Sequence, residues 1–273
     1  MSLFQDKTAV VTGAASGIGQ ALCMALAQKG AYVVAADIHA AGADQTAARI
    51  ISQGGQAHGE ALDVTKANDV AFLIEETFSR RKRLDFVFNN AGIAVTAGFC
   101  DTVLADWRAI LGVNLLGVVN GMRAALPLMT RQGFGHIINT ASAAGLAPMP
   151  FLAAYGASKS AVAGLSQTAR IEAADKGVKV SVLCPGVVQT PIIDNMTCRG
   201  FDKQKLISQI MRMTSPEKCA ATALKGVEKN RAVILAGPDA LFVYHCHRFL
   251  PGLHERLMRL AAKRSRRVAG QEP

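Results

Sequence analysis

The stretch that most constrains this chain is a glycine-rich loop between a strand-like run and a helix-like run. Residues 7–12 form a short apolar run typical of a buried strand, and residues 20–29 continue as a helix. Between them lie Gly13, Gly17 and Gly19, spaced as G-x-x-x-G-x-G. This context brings unhindered backbone amides to the positive end of a helix dipole, which suits a pyrophosphate group. The loop therefore predicts a dinucleotide site at the start of an α/β domain.

The rest of the chain alternates strand-like and helix-like runs, which is the pattern of a parallel sheet covered on both faces. Half of the 273 residues are hydrophobic and only 18% are charged, so one large core is feasible. We expect a single domain over residues 1–237, with a Rossmann-like, doubly wound and mostly parallel sheet of about seven strands. Residues 238–273 follow as a C-terminal extension. Further strands are expected at residues 31–36, 56–62, 84–88, 135–141, 178–184 and 231–235, and helices at residues 40–54, 66–83, 102–132, 151–176 and 215–230.

A carboxylate follows the second expected strand. Asp37 lies 18 positions after Gly19, near where an acidic side chain accepts hydrogen bonds from an adenosine ribose. It would repel the additional phosphate of NADP, and the neighbouring positions Ile38, His39 and Ser16 supply no arginine or lysine. We therefore predict NAD as the cofactor. An ordinary turn residue at a strand end is the alternative for Asp37.

Three polar side chains have a spacing that suits proton transfer. Ser142 ends an apolar run, Tyr155 follows thirteen residues later, and Lys159 lies four residues beyond Tyr155. On a helix over residues 151–176 the phenol and the amine would share one face. A full charge at about 4 Å contributes about 4 kcal/mol at an effective dielectric near 20, enough to lower a tyrosine pKa by roughly 2–3 units. The alternative, for the pair alone, is two surface neighbours on a helix.

These features together carry a family resemblance. The chain resembles the classical branch of the short-chain dehydrogenase/reductase family over about residues 5–237, in the motifs Thr12–Gly19, Asn89–Gly92, Asn114, Tyr155–Lys159 and Pro185–Gly186. The resemblance implies an alcohol dehydrogenase or ketone reductase with a tyrosine as general acid/base. It also implies a catalytic tetrad in which the asparagine positions a proton-relaying water, formed by Asn114, Ser142, Tyr155 and Lys159.

The resemblance further implies which residues bind the cofactor and the substrate. The expected cofactor-binding residues are Gly13, Ser16, Gly17, Ile18, Gly19, Asp37, Asp63, Val64, Asn90, Ala91, Gly92, Tyr155, Lys159, Pro185, Gly186, Val188 and Thr190. Within this set, Asp63 and Val64 are expected at the adenine ring. The expected substrate-binding residues are Ser142, Ala144, Tyr155 and Val187. No metal site is expected, and His245-Cys246-His247 lacks a second ligand pair.

The loop between Ser142 and Tyr155 is almost wholly apolar, and residues 190–214 occupy the position of the family's substrate lid, where methionines suit an adaptable apolar pocket. These features favour a lipophilic secondary alcohol or ketone of the steroid, retinoid or fatty type. One alternative is a 3-oxoacyl thioester reductase, whose acidic carrier would suit a basic surface. A second is a nucleotide-sensing or scaffold protein without activity, against which the complete tetrad argues.

The C-terminal extension is strongly basic. Residues 241–273 hold seven Lys/Arg against two Glu, a net charge of +5 out of +10 for the whole chain. Its leucines recur at helical spacing and predict a basic amphipathic helix over residues 241–267. Two interpretations remain open for that helix: packing against its own or a sister subunit, or binding at a membrane surface. The leucines concerned are Leu250, Leu253, Leu257 and Leu260.

Other features bear on location and partners. No run of about 18 uncharged apolar residues predicts a membrane span, and the N-terminus lacks the pattern of a signal peptide. Six scattered cysteines are interpreted as reduced small hydrophobes, so we expect a cytoplasmic protein, with peripheral membrane contact as the alternative. The basic run Arg80–Arg83 is interpreted as a solvated helix end, not a nucleic-acid site.

A homo-oligomer, as a tetramer, is implied by the resemblance. The expected helices 102–132 and 151–176 carry more apolar positions than one sheet face can cover, and such faces mark subunit contacts. The positions singled out are Leu115, Leu116, Val118, Val119, Val162 and Leu165.

Overall fold

The computed structural model describes residues 2–208 and 213–268. Its strands are β1 (Thr8–Thr12), β2 (Tyr32–Asp37), β3 (Gln56–Ala61), β4 (Phe86–Asn89), β5 (Val95–Ala97), β6 (Gly135–Thr140), β7 (Val178–Pro185), β8 (Thr197–Arg199) and β9 (Val233–Ala236). Seven of them form one sheet in the order β3-β2-β1-β4-β6-β7-β9, and every pairing in it is parallel. The predicted doubly wound, seven-stranded sheet is confirmed.

The helices alternate with these strands. They are α1 (Gly17–Gln28), α2 (Ala40–Ser52), α3 (Ala67–Arg81), α4 (Leu104–Ile110), α5 (Gly117–Gln132), α6 (Ala153–Glu172), α7 (Pro191–Asn195), α8 (Lys203–Ser208), α9 (Pro216–Glu228), α10 (Pro238–Phe249) and α11 (Pro251–Val268). The strand order reverses between β1 and β4. In sheets of this kind ligands bind at such a switch point, outside the carboxyl ends of the strands.

Each face of the sheet is buried under helices. Along β1, Val10 belongs to one apolar cluster, whereas Ala9 and Val11 belong to another. Because successive strand side chains point to opposite faces, the two clusters lie on opposite sides of the sheet. Helices α3, α5 and α6 contribute to the cluster of Val10, and helices α1 and α9 contribute to the other.

The stretch predicted as one helix over residues 102–132 consists of three segments. Helix α4 is followed by a π-helical segment, Leu111–Leu116, and then by α5. Leu104–Gln132 is long and apolar enough to cross a membrane by length and composition, with a mean hydropathy of 1.5. In the structure 39% of its apolar window is buried within the chain, and Val118, Ala125 and Met129 lie in the same cluster as Val10.

The C-terminal extension forms two helices, so the prediction of a single helix over residues 241–267 is wrong. Helix α10 ends at Phe249 and α11 begins at Pro251, and the two helices pack against each other. A proline has no amide to continue the first helix and disfavours a helical conformation at the residue before it. Leu250 accordingly has φ −134° and ψ 58°, and it interrupts the predicted leucine stripe.

Several surface predictions are changed by the packing. Val118 and Val162 are buried in the chain's own core, so they are not available as subunit contacts, whereas Leu116 is 53% exposed. Four of the six free cysteines are buried, but Cys198 is half-buried and Cys100 is exposed, so Cys100 is not a core residue.

The basic run at the end of α3 has partners within the chain. The Arg81 guanidinium lies 4.0 Å from the centroid of the Tyr32 ring, and Arg83 forms two hydrogen bonds of 2.7 Å with the Asp85 carboxylate. Arg80 pairs with Glu76 one turn earlier. These contacts agree with the interpretation of the run as a helix end.

Candidate active site

The carboxyl ends of β1, β4 and β6 are joined by side-chain hydrogen bonds. The Thr12 hydroxyl oxygen accepts from the amides of Asn90 and Ala91, at 2.9 and 3.1 Å. The Asn90 side chain donates to the Thr12 carbonyl at 3.0 Å and accepts from the Thr140 hydroxyl at 3.3 Å. The predicted segment Asn90–Gly92 is thereby fixed beside the start of the glycine loop.

The glycine loop needs its glycines for both conformation and space. Gly13 and Gly17 have φ values of +68° and +54°, which side chains rarely adopt. A Cβ at Gly13 would lie 2.9 Å from the Ala91 Cα, and one at Gly17 would lie 2.9 Å from Thr190 Cγ2. Ser16 precedes α1 without a side-chain capping bond, and no acidic residue occupies the first turn. The first-turn amides thus fit an anionic group such as the pyrophosphate of a dinucleotide.

Asp37 is held at the end of β2 by two backbone amides. One carboxylate oxygen accepts from Ala15 and the other from His39, each at 2.9 Å. Each oxygen keeps a further lone pair, and the side chain is half-buried, so the carboxylate remains able to accept from a ribose hydroxyl. Ile38 beside it is 64% exposed, and Ser16 is exposed.

The predicted adenine-binding pair lies just beyond β3. The Asp63 carboxylate accepts from the Thr65 hydroxyl at 2.7 Å and from the Thr65 amide at 3.0 Å. These two hydrogen bonds hold the pKa of Asp63 below its usual value. Val64 is buried, and a Cβ at Gly117 would lie 2.8 Å from Val64 Cγ2, so the segment packs directly on α5.

Lys159 is the buried cation of the site. Its amine donates to the Thr140 carbonyl at 2.8 Å and lies 5.8 Å from the centroid of the Tyr155 ring. A Cβ at Gly92 would lie 3.4 Å from this amine and 3.3 Å from the Asn114 side-chain oxygen, so these groups meet around Gly92. Burial lowers the pKa of Lys159 to about 8.

Asn114 connects the Gly92 segment to the helix that carries Tyr155. It is fully buried in the π-helical segment, where it accepts from the Ile93 amide at 2.8 Å and donates to the Ile93 carbonyl at 3.0 Å. Its amide also donates to the Ser158 hydroxyl at 3.2 Å, and that hydroxyl donates to the Tyr155 carbonyl at 2.7 Å. A π-helical turn is frequent at functional sites.

Tyr155 and Ser142 face each other across the site. Burial raises the pKa of Tyr155, and its hydrogen bond with Ser142 acts in the opposite direction with a smaller effect. Lys159, which the spacing predicts to lower this pKa, is not among the causes of the shift, and its amine donates to the Thr140 carbonyl. The Ser142 oxygen accepts from the Ala144 amide at 3.2 Å.

Comparison with known proteins agrees with this geometry. Residues 7–198 match the short chain dehydrogenase family. This chain is a member of that family. It is 35% identical over 256 residues to D-beta-hydroxybutyrate dehydrogenase of Rhizobium meliloti (strain 1021), covering 90% of this chain and 97% of that protein.

Two further relatives extend the comparison. The "Probable oxidoreductase EphD" of Mycobacterium tuberculosis (strain ATCC 25618 / H37Rv) is 36% identical over 259 residues, which span 91% of this chain but only 44% of that protein. A short chain dehydrogenase/reductase from Burkholderia phymatum, solved in complex with NAD, superimposes with a TM-score of 0.83 at 28% identity, covering 93% of this chain and 96% of that one.

In this short chain dehydrogenase the turn after β7 is fixed from two sides. Val187 donates its amide to the Asp239 carboxylate at 2.6 Å and accepts at its carbonyl from the Thr214 amide at 2.9 Å. Val187 and Thr190 are half-buried, whereas Val188 is buried. Asp239 was not identified from the sequence. Pro238 at the first position of a helix, followed by an acidic residue in the first turn, is a pattern typical of a helix start.

The surroundings of Tyr155 are apolar. The Tyr155 side chain packs against a small buried cluster, as Trp107 does, and Ala144 is buried. Beside the site lies a cavity of ≈310 Å³ lined by Gln189, Thr190, Pro191, Ile193, Asp194, Ile207 and Met213. Of the methionines expected to line the pocket, Met213 does so, and Met196 accepts from the Thr96 hydroxyl at 3.5 Å. Met211 and the rest of residues 209–212 of the expected lid lie outside the described residues.

An ion pair that sequence reasoning missed anchors the described part of the lid. Arg199 on β8 forms two hydrogen bonds with the Asp106 carboxylate on α4, at 2.7 and 2.9 Å. Arg199 also belongs to the parallel pair β5–β8, through its register with Ala97. The guanidinium lowers the pKa of Asp106. The two partners are 93 positions apart, so nothing in the local sequence signals the pair.

A chain of buried polar groups supports the sheet behind the site. Asn89 donates to the Asn139 side-chain oxygen at 2.8 Å, and Asn139 donates to the Ser166 hydroxyl at 2.9 Å. Ser166 in turn donates to the Val162 carbonyl at 2.6 Å. Gly121 on α5 leaves the space that the Asn89 amide occupies, since a Cβ there would overlap it. This series of hydrogen bonds connects β4, β6 and α6.

Proposed function

We propose that this chain is an NAD(H)-dependent dehydrogenase that interconverts a lipophilic secondary alcohol and the corresponding ketone. Membership of the family supports oxidoreductase activity. The alcohol–ketone reaction is supported mainly by one observation: the buried Lys159 amine lies beside Tyr155, and Ser142 is hydrogen-bonded to the same phenol. These three groups can hold a hydroxyl or carbonyl oxygen and move one proton to or from it.

Each residue has a defined task in this proposal. NAD, when bound, accepts the hydride in oxidation, and its reduced form supplies the hydride in the reverse direction. Tyr155 as a phenolate takes the hydroxyl proton during oxidation, and as a phenol it gives that proton to the substrate oxygen during reduction, while the Ser142 hydroxyl donates a hydrogen bond to the same oxygen. Lys159 carries a positive charge below its pKa of about 8 and stabilises the phenolate that forms. Asn114 keeps the Gly92 segment and the Tyr155 helix in register.

The preference for NAD rests on Asp37. Its carboxylate is held by Ala15 and His39 and would face a 2′-phosphate with like charge. The adjacent Ser16 and Ile38 offer no positive charge to offset that repulsion. The solved relative from Burkholderia phymatum was obtained with NAD, which is consistent with this choice.

The substrate class rests on the apolar surroundings. Tyr155 and Trp107 pack against the same small apolar cluster, and the described residues that line the neighbouring cavity include Asp194 but neither Lys nor Arg. A small hydroxy acid such as D-beta-hydroxybutyrate would find no cation for its carboxylate among these described lining residues. A neutral lipophilic alcohol of the steroid, retinoid or fatty type therefore fits better.

A second candidate, a 3-oxoacyl thioester reductase, is favoured by one observation. The basic helix α11 contacts the lid helix α8, so an acidic carrier could approach the substrate side. Asp37 argues against the thioester reductase, because most carrier-linked reductases of that kind use NADPH and Asp37 would repel its additional phosphate. For either function we propose a cytoplasmic homo-oligomer, a tetramer as in the resembling family.

The test is a substrate panel with purified protein. It combines steroid, retinoid and fatty secondary alcohols, D-3-hydroxybutyrate and a 3-oxoacyl thioester with NAD(H) and NADP(H), and follows the absorbance of reduced nicotinamide. We expect turnover of a lipophilic alcohol with NAD, and none in the Tyr155→Phe protein. A preference for the thioester with NADPH, or for the hydroxy acid, would replace the proposed substrate class.

A further inference from the structure

The outer surface of the C-terminal hairpin α10–α11 carries an unusual number of exposed large apolar side chains. Exposed apolar residues are normally scattered singly over a protein surface. Here Phe242 and Phe249 are 61% and 69% exposed, and Leu250, Leu253 and Leu260 are 56%, 47% and 59% exposed. We name this set the hairpin ridge; it consists of Phe242, Phe249, Leu250, Leu253 and Leu260.

The ridge on α10 lies on the side of the helix that faces away from the domain. Ala240 and Cys246 are buried, and they define the packed side. Phe242, His245 and Phe249 are all exposed and recur at helical spacing, with the rings of His245 and Phe249 stacked at 5.9 Å and 8°. Nothing among the described residues covers this aromatic face.

Exposed cations lie beside the ridge on α11. His254 is buried, and Leu257 and Met258 are half-buried, so these residues mark the packed side of α11, whose neighbours include α10 and α8. The exposed side carries a series of basic residues, and the one acidic residue of this helix, Glu255, is paired with Arg259 at 2.6 Å. The exposed cations of the hairpin are Arg248, Arg256, Arg259, Lys263, Arg264, Arg266 and Arg267.

We propose that the hairpin ridge and its cations dock on an anionic lipid bilayer. Phenylalanine and leucine side chains enter the boundary between headgroups and acyl chains, while arginines and lysines contact anionic headgroups. A second copy of the chain fits less well, because a symmetric contact would place the cations of one hairpin against those of the other. The net charge of +5 over residues 241–273 makes that repulsion substantial.

The position of the hairpin gives this contact a consequence for the substrate. Helix α11 contacts α8 of the lid, and the Arg266 guanidinium lies 5.8 Å from the centroid of the Phe151 ring. Phe151 belongs to the loop before Tyr155, and its ring centroid is 4.5 Å from that of Phe201. Docking would therefore hold the substrate side near the bilayer, where a lipophilic alcohol is concentrated. This last step rests on the proposed function, whereas lipid binding itself does not.

The experiment is co-sedimentation of the full chain with vesicles of phosphatidylcholine alone or mixed with phosphatidylserine, at low and high salt. We expect binding to the anionic vesicles at low salt and its loss at high salt, because salt screens the cations. Replacing both Arg256 and Lys263 by Gln should weaken binding about 25-fold, since each cation near the surface contributes about fivefold. Replacing both Phe242 and Phe249 by Ser should also release the protein.

Matched variants separate docking from general effects on the fold. Phe72→Ser removes a phenylalanine of 67% exposure from α3, and Lys66→Gln with Lys218→Gln removes two exposed cations elsewhere; neither should alter binding. Absence of binding to anionic vesicles at low salt would overturn the proposal. So would a Phe242/Phe249 variant that changes only the oligomeric state, which would make the ridge an interface between copies. Lipid binding without turnover of any lipophilic alcohol would leave the docking intact and refute the proposed function.

Discussion

Asp239, in the first turn of α10, accepts a 2.6 Å hydrogen bond from the backbone amide of Val187. The extension therefore reaches the turn that contains the expected cofactor-binding residues Pro185, Gly186 and Val188. A Cβ at Gly186 would overlap the same carboxylate, which shows how closely the turn approaches it. The start of the C-terminal extension is thus a structural part of the candidate cofactor site.

Asp239→Ala should weaken NAD binding and destabilise the protein. The change removes a charged acceptor, which typically costs about 1.5–3 kcal/mol and here corresponds to roughly a tenfold or greater rise in the KM for NAD. Steady-state kinetics and a thermal melt measure the two effects. Glu217→Ala, which removes an exposed acid from the first turn of α9, is the matched control and should change neither. An unaltered KM would show that the turn is held without Asp239.

Tyr155→Phe should reduce turnover by about a hundredfold or more, because loss of a positioned proton donor typically has an effect of this size. The affinity for NAD, measured by fluorescence titration, should stay nearly constant, since the glycine loop, Asp37 and Lys159 remain. Tyr32→Phe, at the start of β2 beside Arg81, serves as the control. Retention of more than a few per cent of the rate would remove Tyr155 from its proposed role.

Asp37→Ala should narrow the preference for NAD over NADP by about tenfold in kcat/KM, because it removes the negative charge opposite the 2′-phosphate. The ratio of the two kcat/KM values is the quantity to compare. Asp175→Ala, which removes an exposed carboxylate after α6, should leave the ratio unchanged. Equal use of the two cofactors by the wild type would contradict the assignment.

Lys159 should make stability depend on pH in a defined window. The folded protein releases this proton near pH 8 and the unfolded chain near 10.5, so between these values the unfolded chain binds more protons. The free energy of unfolding of the wild type should therefore rise across this window, relative to that of Lys159→Met, by about 3 kcal/mol. Urea unfolding of both proteins at pH 7, 9 and 10.5 measures the difference, and a difference independent of pH would show that the buried amine is not titrating there.

The chain should associate into a homo-oligomer through the exposed positions around α4–α5 and α6. Leu116→Glu should shift sedimentation toward smaller species, because it places a charge in the expected contact, whereas Ile51→Glu on α2 should not. The two side chains are 53% and 57% exposed. A wild-type monomer at micromolar concentration would contradict the expectation.

The long strands and helices of the sheet domain, and the shared helix of Tyr155 and Lys159, could be predicted because each is marked by local sequence. β1 is a five-residue buried run followed directly by the glycine loop, and Tyr155 and Lys159 are related by one turn of a single helix. The π-helical segment could not be predicted, since six residues are too few to separate its period from that of an α-helix. The helix break before Pro251 could have been predicted from the proline, but the regular leucine spacing favoured a single helix.

Features that depend on distant partners were not accessible from the sequence. β5 and β8 have three residues each and pair across about a hundred positions, so neither carries a strand signal of its own. Val118 and Val162 were expected at subunit contacts. An apolar period shows that a helix face is buried, but it does not show whether the same chain or another subunit buries that face. The pKa of Tyr155 depends on burial and on the hydrogen bond with Ser142, and neither is encoded in the spacing of Tyr155 and Lys159.

The buried chain from Asn89 through Asn139 to Ser166 has a consequence for how sequences of this kind can change. A side chain at Gly121 requires a smaller residue at position 89, and losing the Asn89 amide leaves the Asn139 oxygen without its donor. Each single replacement thus gives a destabilised protein, because an unpaired buried polar group costs about 1–3 kcal/mol. These four positions should therefore covary among homologues, substituted together or retained together.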